Sequence, residues 1–138
     1  ILDITILEIE NDFINNNIMN LDYHDNIKVG GRVNIFGYPH SDHNRLVLTQ
    51  QNTIIGAKTL VYSSKIKIKN IVLNIQSRPG QSGSPIIDEN NSHSIIGMLI
   101  GSYAPQSSGS ISLGGIDPQT LHQTTNAIPA EYINEMIL

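Results

Sequence analysis

"RPGQSGSPIID", Arg78 to Asp88, sets two glycines, two serines and a proline directly ahead of an apolar pair. The loop lies between a buried strand ending near Ile75 and another beginning near Ile86, so it joins strand to strand. Working outward, apolar residues recur at strand period or in short runs, bounded by turn residues every ten or so positions. The candidate strands are Leu2–Ile9, Arg32–Gly37 ("RVNIFG"), Leu46–Ile55 ("LVLTQQNTII"), Lys65–Ile75 ("KIKIKNIVLNI"), Ser84–Ile87 and Ser94–Tyr103 ("SIIGMLIGSY"). Six strands hide their edges only if the sheet closes, which predicts an all-β barrel. Helical spacing is confined to the tail "IPAEYINEMIL", where Ile128, Tyr132, Ile133 and Met136 share a face and Pro129 suits a first helical turn. That helix is expected to cap the barrel. The Asn-rich stretch Asn11–Gly31 reads as a connector, and Pro105–Gln123, rich in Ser and Gly, as a surface loop.

The chain has 138 residues, 39% of them hydrophobic, which suffices for one domain with a core. A net charge of −4 argues against a nucleic-acid partner. No apolar run reaches the ~18 residues of a membrane-spanning helix. There is no cysteine, so neither a disulfide framework nor a thiolate metal site is available. Lys65, Lys67 and Lys69 alternate with Ile66 and Ile68, which puts three ammonium groups on one face of a strand. A solvated face that discourages edge pairing is the simple reading, and a docking patch for an acidic partner is the other.

In the opening loop, Gly80 stands two residues before Ser82. A glycine there permits a conformation closed to other residues and lets successive N–H groups face a concavity, where an anion can bind. Were Ser82 to attack a carbonyl, the N–H groups of Gly80 and Ser82 could hold the oxyanion, and Gly83 keeps the far side open. A plain Ser/Gly turn is the alternative. The hydrolase elbow G-x-S-x-G is excluded, because Ser84 occupies its last glycine and no helix follows. A second feature is Asp3, inside the apolar run "ILDITILEI". A buried carboxylate needs a hydrogen-bonding partner, and a histidine would serve; on the polar face of an edge strand it would only meet solvent.

Together these segments resemble the chymotrypsin-like (trypsin-fold) serine peptidases, whose triad runs His, Asp, Ser along the chain. "LDITILEI" looks like that family's Asp-bearing strand, "VNIFGYP" like the first strand of its second barrel, "RPGQSGSPIID" like its nucleophile loop and "IIGMLIGS" like the strand that follows. The serine loop is most similar to the bacterial glutamyl endopeptidase branch, and "NAIPAEYI" also resembles the HtrA-like branch. The resemblance implies a six-stranded antiparallel Greek-key barrel, the second of that fold, with a short C-terminal helix. Residues 1–10 would be the last strand of a first barrel, 11–31 the connector between barrels and 32–138 the second barrel with its helix. Ser82 would be the nucleophile, Asp3 the residue orienting the base, and the amides of Gly80 and Ser82 the oxyanion hole.

No histidine precedes Asp3, so the base is expected on an upstream segment, with this chain the C-terminal part of a peptidase domain. His24, His40, His43, His93 and His122 all follow it. His40 and His43 could bind a metal but lack a third ligand nearby, so a solvated loop is the reading preferred. Ile1 directly precedes the Asp-bearing run and Gln81 carries no charge, so no zymogen-type salt bridge is expected; Gln81 should bond within its own loop. The resemblance places the primary pocket at Gln76, Ser77, Leu99, Ile100, Gly101, Ser102 and Asn126. Leu99 stands where glutamyl endopeptidases hold a histidine, so a neutral pocket is expected. Ile100–Ser102 could pair with substrate backbone as an added strand.

The expected function is serine endopeptidase, acting on polypeptide without metal or organic cofactor and partnered by the first barrel of the same protein. The alternative is an inactive trypsin-fold module that binds extended peptides. The compartment is undecided, and the resemblance leans toward secreted or periplasmic.

Overall fold

The computed structural model describes residues 4–8, 19–22, 27–63, 66–103 and 124–137. Seven strands and one helix form: β1 (Asn20–Leu21), β2 (Arg32–Gly37), β3 (Thr49–Ser63), β4 (Ile66–Leu73), β5 (Pro85–Asp88), β6 (Asn91–Tyr103), β7 (Thr124–Pro129) and α1 (Ala130–Ile137). No helix among the described residues is long and apolar enough to cross a membrane.

Alternation drives β2: Val33, Ile35 and Gly37 point inward while Arg32, Asn34 and Phe36 are more exposed. The same inward set recurs in Ile55 of β3, Ile71 and Leu73 of β4, Ile86 of β5, Ile96 and Leu99 of β6 and Ala127 of β7, which together make the core, with Ile27 and Ile75 packed against it.

The strands run β6-β5-β2-β3-β4-β7, and β7 pairs back onto β6, so six antiparallel strands close a ring. Strands β2, β3 and β4 follow one another, and β5 returns to lie beside β2, which is a Greek key. The returning connection, residues 74–84, is the serine-bearing loop. The expected all-β six-stranded barrel with a short C-terminal helix is thus observed, though its membership differs in detail.

Strand β7 supplies the sixth member of the ring, and residues 4–8 form no strand. Extended chain becomes strand only against a ladder partner, and among the described residues none flanks 4–8. Pro129 closes β7 instead of opening the helix, which begins at Ala130; Ile128 is a buried strand residue, 1% exposed. Strand β3 starts at Thr49, opposite Gly37, and leaves Leu46, Val47 and Leu48 exposed because β2 ends there. The connector contributes one unforeseen piece, the two-residue β1, parallel to β6.

The lysine row is only partly a solvated face. Lys69 Nζ contacts both carboxylate oxygens of Glu131 on α1, at 2.9 and 3.1 Å. The Tyr132 hydroxyl accepts the Lys69 backbone N–H at 2.9 Å, which caps an open stretch of the β4 edge. Lys67 lies 5.3 Å from the centroid of the Tyr62 ring, and Lys65 is outside the described residues. These polar contacts tie the C-terminal helix to β4 at Lys69.

Candidate active site

Each residue of the serine loop has a local reason for its place. Gly80 adopts φ +86°, and a Cβ there would come within 2.5 Å of the Ser41 Oγ and 2.7 Å of the Tyr38 carbonyl oxygen. Glycine is required on both grounds. The turn before it is pinned by His40, whose N–H donates to the Pro79 carbonyl at 2.7 Å.

Gln81 is 1% exposed and acts as the post of the loop. Its Oε1 accepts the Arg78 N–H at 2.7 Å, as expected of a residue that bonds within its loop, and its Nε2 donates to the Gln51 Oε1 of β3 at 2.6 Å. That second bond fixes the loop to the barrel wall. Beyond it, Gly83 N–H donates to the Leu99 carbonyl and Leu99 N–H to the Ser84 carbonyl, at 2.8 and 2.9 Å, so the loop re-enters the sheet beside β6.

Within Gly80–Ser84, the N–H groups of Gln81, Gly83 and Ser84 reach backbone carbonyls, while among the described residues those of Gly80 and Ser82 do not. The two donors expected to hold an oxyanion thus have no backbone acceptor among the described residues. Ser82 itself is exposed, and its Oγ donates to the Ile100 carbonyl of β6 at 2.6 Å. A carbonyl oxygen orients that hydroxyl without taking its proton.

Beside Ser82 is a hollow of about 310 Å³ lined by Ser82, Gly83, Leu99 and Ile100 together with Ile4 and Thr5. Asp3 lies outside the described residues, but its two successors in the chain thus share a wall with the serine. A hollow of similar size at the opposite end of the barrel is lined by Asp22, Lys28, Arg32 and Asp88 among others, with no serine, threonine or cysteine in its lining.

Of the expected pocket residues, Ser77 and Ser102 meet directly. Their hydroxyls are 2.7 Å apart, and Ser102 Oγ also donates to the Ser77 carbonyl at 3.2 Å. Gly101 is registered opposite Asn126 across the β6–β7 pair. A Cβ on Gly101 would lie 3.9 Å from the Ser82 Oγ, which ties this stretch to the serine. Leu99 is 1% exposed and belongs to the core, and Gln76 is exposed.

Two contributors escaped sequence reasoning. Thr125, fully buried, accepts the Ser77 N–H at 2.9 Å and donates to the Ile75 carbonyl at 2.6 Å; Gln51 receives Gln81. Both are ordinary polar residues in strands, and their only signal is pairing that the sequence does not display.

His24 and His122 lie outside the described residues, and the side chain of His93 is likewise undescribed. His40 and His43 pack edge to face with ring centroids 6.4 Å apart, and His43 sits 3.2 Å from Asp42. Among the described residues no group of three or more potential ligands could hold a metal ion. Against known families, the model described as "Trypsin-like peptidase domain" matches residues 1–98, from the Asp3 run through the serine loop to Met98 of β6.

Proposed function

The chain belongs to the trypsin-like peptidase family, and from that premise we propose that it carries the nucleophile half of a serine endopeptidase site. The supporting observation is the exposed Ser82 at the edge of a hollow, with its own N–H and that of Gly80 free of backbone acceptors among the described residues. In the proposed reaction Ser82 Oγ attacks a peptide carbonyl carbon. A histidine of an upstream segment accepts the hydroxyl proton, and Asp3 orients and stabilises the imidazolium. The carbonyl oxygen becomes an oxyanion held by the two amides, each donor being worth about 2.7–4 kcal/mol in the transition state. Collapse expels the leaving amine, which takes its proton from the imidazolium, and water then hydrolyses the acyl ester by the same route.

The substrate is polypeptide, paired along Ile100–Ser102, with Gln76, Ser77, Leu99, Ile100, Gly101, Ser102 and Asn126 forming the primary pocket. In this reading residues 1–10 complete a first barrel, 11–31 connect the barrels and 32–138 form the second. The lining of the Ser82 hollow favours that placement of the serine and the Asp3 run, since Ile4 and Thr5 share its wall with Ser82.

A fluorophosphonate probe tests the proposal on the full-length protein beside Ser82→Ala. Labelling that vanishes in the variant supports an activated serine. Folded protein that fails to label favours the second reading, a trypsin-fold module that binds extended peptides. One contact favours that module: the Ser82 hydroxyl is committed to the Ile100 carbonyl, so it must turn before it can attack.

A further inference from the structure

Residues 56–70, "GAKTLVYSSKIKIKN", hold four of the eight basic residues of the chain and none of its twelve acidic ones. The rest of the molecule is strongly acidic, so charge is segregated onto this one segment. Structurally it is an overhang. Strand β3 leaves β2 after Ile54, and β4 joins β7 only from Ile71 onward, so Ala57–Ser63 and Ile66–Asn70 form a two-stranded ribbon beyond the ring.

Register decides its two faces, because directly opposed residues share one. Leu60 with Lys69 and Tyr62 with Lys67 lie on the first, and Val61 with Ile68 on the second, which Ile66 shares. Exposed apolar side chains lie on both faces, on the first beside Lys67 and Lys69: Leu60 is 57% exposed, Tyr62 71%, Val61 45% and Ile66 64%. The root, by contrast, is held. Lys58 Nζ donates to the Ile27 carbonyl at 3.1 Å, and Lys69 is held by Glu131 and Tyr132.

We propose that this ribbon docks the protein on an anionic lipid surface, with Leu60, Val61, Tyr62 and Ile66 meeting the boundary between headgroups and acyl chains. A rigid protein partner covers one face of a ribbon, whereas a fluid interface surrounds both and buries Leu60, Val61, Tyr62 and Ile66 together. Tyr62, with an apolar ring and a polar tip, suits that depth, and the Lys67 ammonium beside it can reach lipid phosphates while its stem stays among apolar groups. Anionic lipid attracts the ribbon and repels the acidic remainder, so the protein binds peripherally in one orientation. Attraction of this kind weakens with salt.

The test is flotation of the full-length protein with vesicles of phosphatidylcholine alone and of phosphatidylcholine with phosphatidylserine. A Tyr62→Trp variant supplies the only tryptophan of the chain as a depth reporter. Binding to the phosphatidylserine vesicles, reversed by salt and accompanied by a blue shift and quenching by brominated lipid, is the expected result. Tyr62→Ser with Ile66→Ser should lower the bound fraction about tenfold or more, and Lys67→Glu should lower it too, with thermal melts and Ser82 labelling unchanged. No flotation of folded protein at low salt, or equal flotation with neutral vesicles, overturns the proposal. So does a ribbon that captures a polyglutamate peptide but no vesicle, since the partner would then be an acidic protein.

Discussion

Gln81 and Gly80 hold the loop that carries Ser82, one through its carboxamide and the other through the absence of a Cβ. The carboxamide of Gln81 spends its oxygen inside the loop and its nitrogen on Gln51 across the barrel wall. Replacing Gln51 by leucine strands that buried nitrogen, which should destabilise the protein by about 1–3 kcal/mol and slow probe labelling of Ser82. Gln51→Glu keeps an acceptor and should restore the labelling rate; equal loss in both variants would mean that Gln51 serves only packing. At Gly80 the conflict is backbone and steric together. Gly80→Ala should cost about 1–2 kcal/mol for its positive φ and displace the loop from Tyr38 and Ser41, so labelling falls while the barrel still melts cooperatively. Gly80 and Ser82 were legible in the sequence because their chemistry is local, a glycine two positions before a serine. Gln51 was not, since its role exists only through β3 lying against the loop.

Among elements, the connection from β4 to β5 matters most, because it is both the Greek-key return and the carrier of the serine. Its first residues are tied to β7 by the buried hydroxyl of Thr125, which bonds Ile75 and Ser77 together. Thr125→Val keeps the volume and removes both bonds. A loss of about 1–3 kcal/mol is expected in thermal melts, along with altered preference in a peptide-cleavage panel if Ser77 lines the pocket. An unchanged cleavage profile at lowered stability would confine Thr125 to structure. Strands β2, β4, β5 and β6 were legible in the sequence with ends shifted by a few residues, since each carries apolar residues at strand period or in a short run. Strand β7 was missed because "TTNAIP" carries little apolar signal. It is held by pairing on both sides, to β4 and β6, and pairing is not a property of a six-residue segment.

For the whole molecule the critical step is closure of the ring between β6 and β7. Gly97 sits in that seam, where an added Cβ would meet the Ile128 carbonyl oxygen at 2.6 Å. Gly97→Ala should therefore cost about 1–3 kcal/mol and loosen closure, seen as faster hydrogen exchange in β7 than in β2. Uniform exchange would show that the seam absorbs the methyl group. By itself the sequence determined the all-β class, the short C-terminal helix and the serine loop with its glycines, because each depends on spacing within a few residues. Tertiary structure alone decided which strand closes the ring, which N–H groups of the serine loop lack backbone acceptors among the described residues, where the lysine-rich ribbon leaves the barrel and which buried polar residues hold that loop in place. Those depend on contacts between residues tens of positions apart, and the chain encodes them only jointly, through the register in which its strands finally pair.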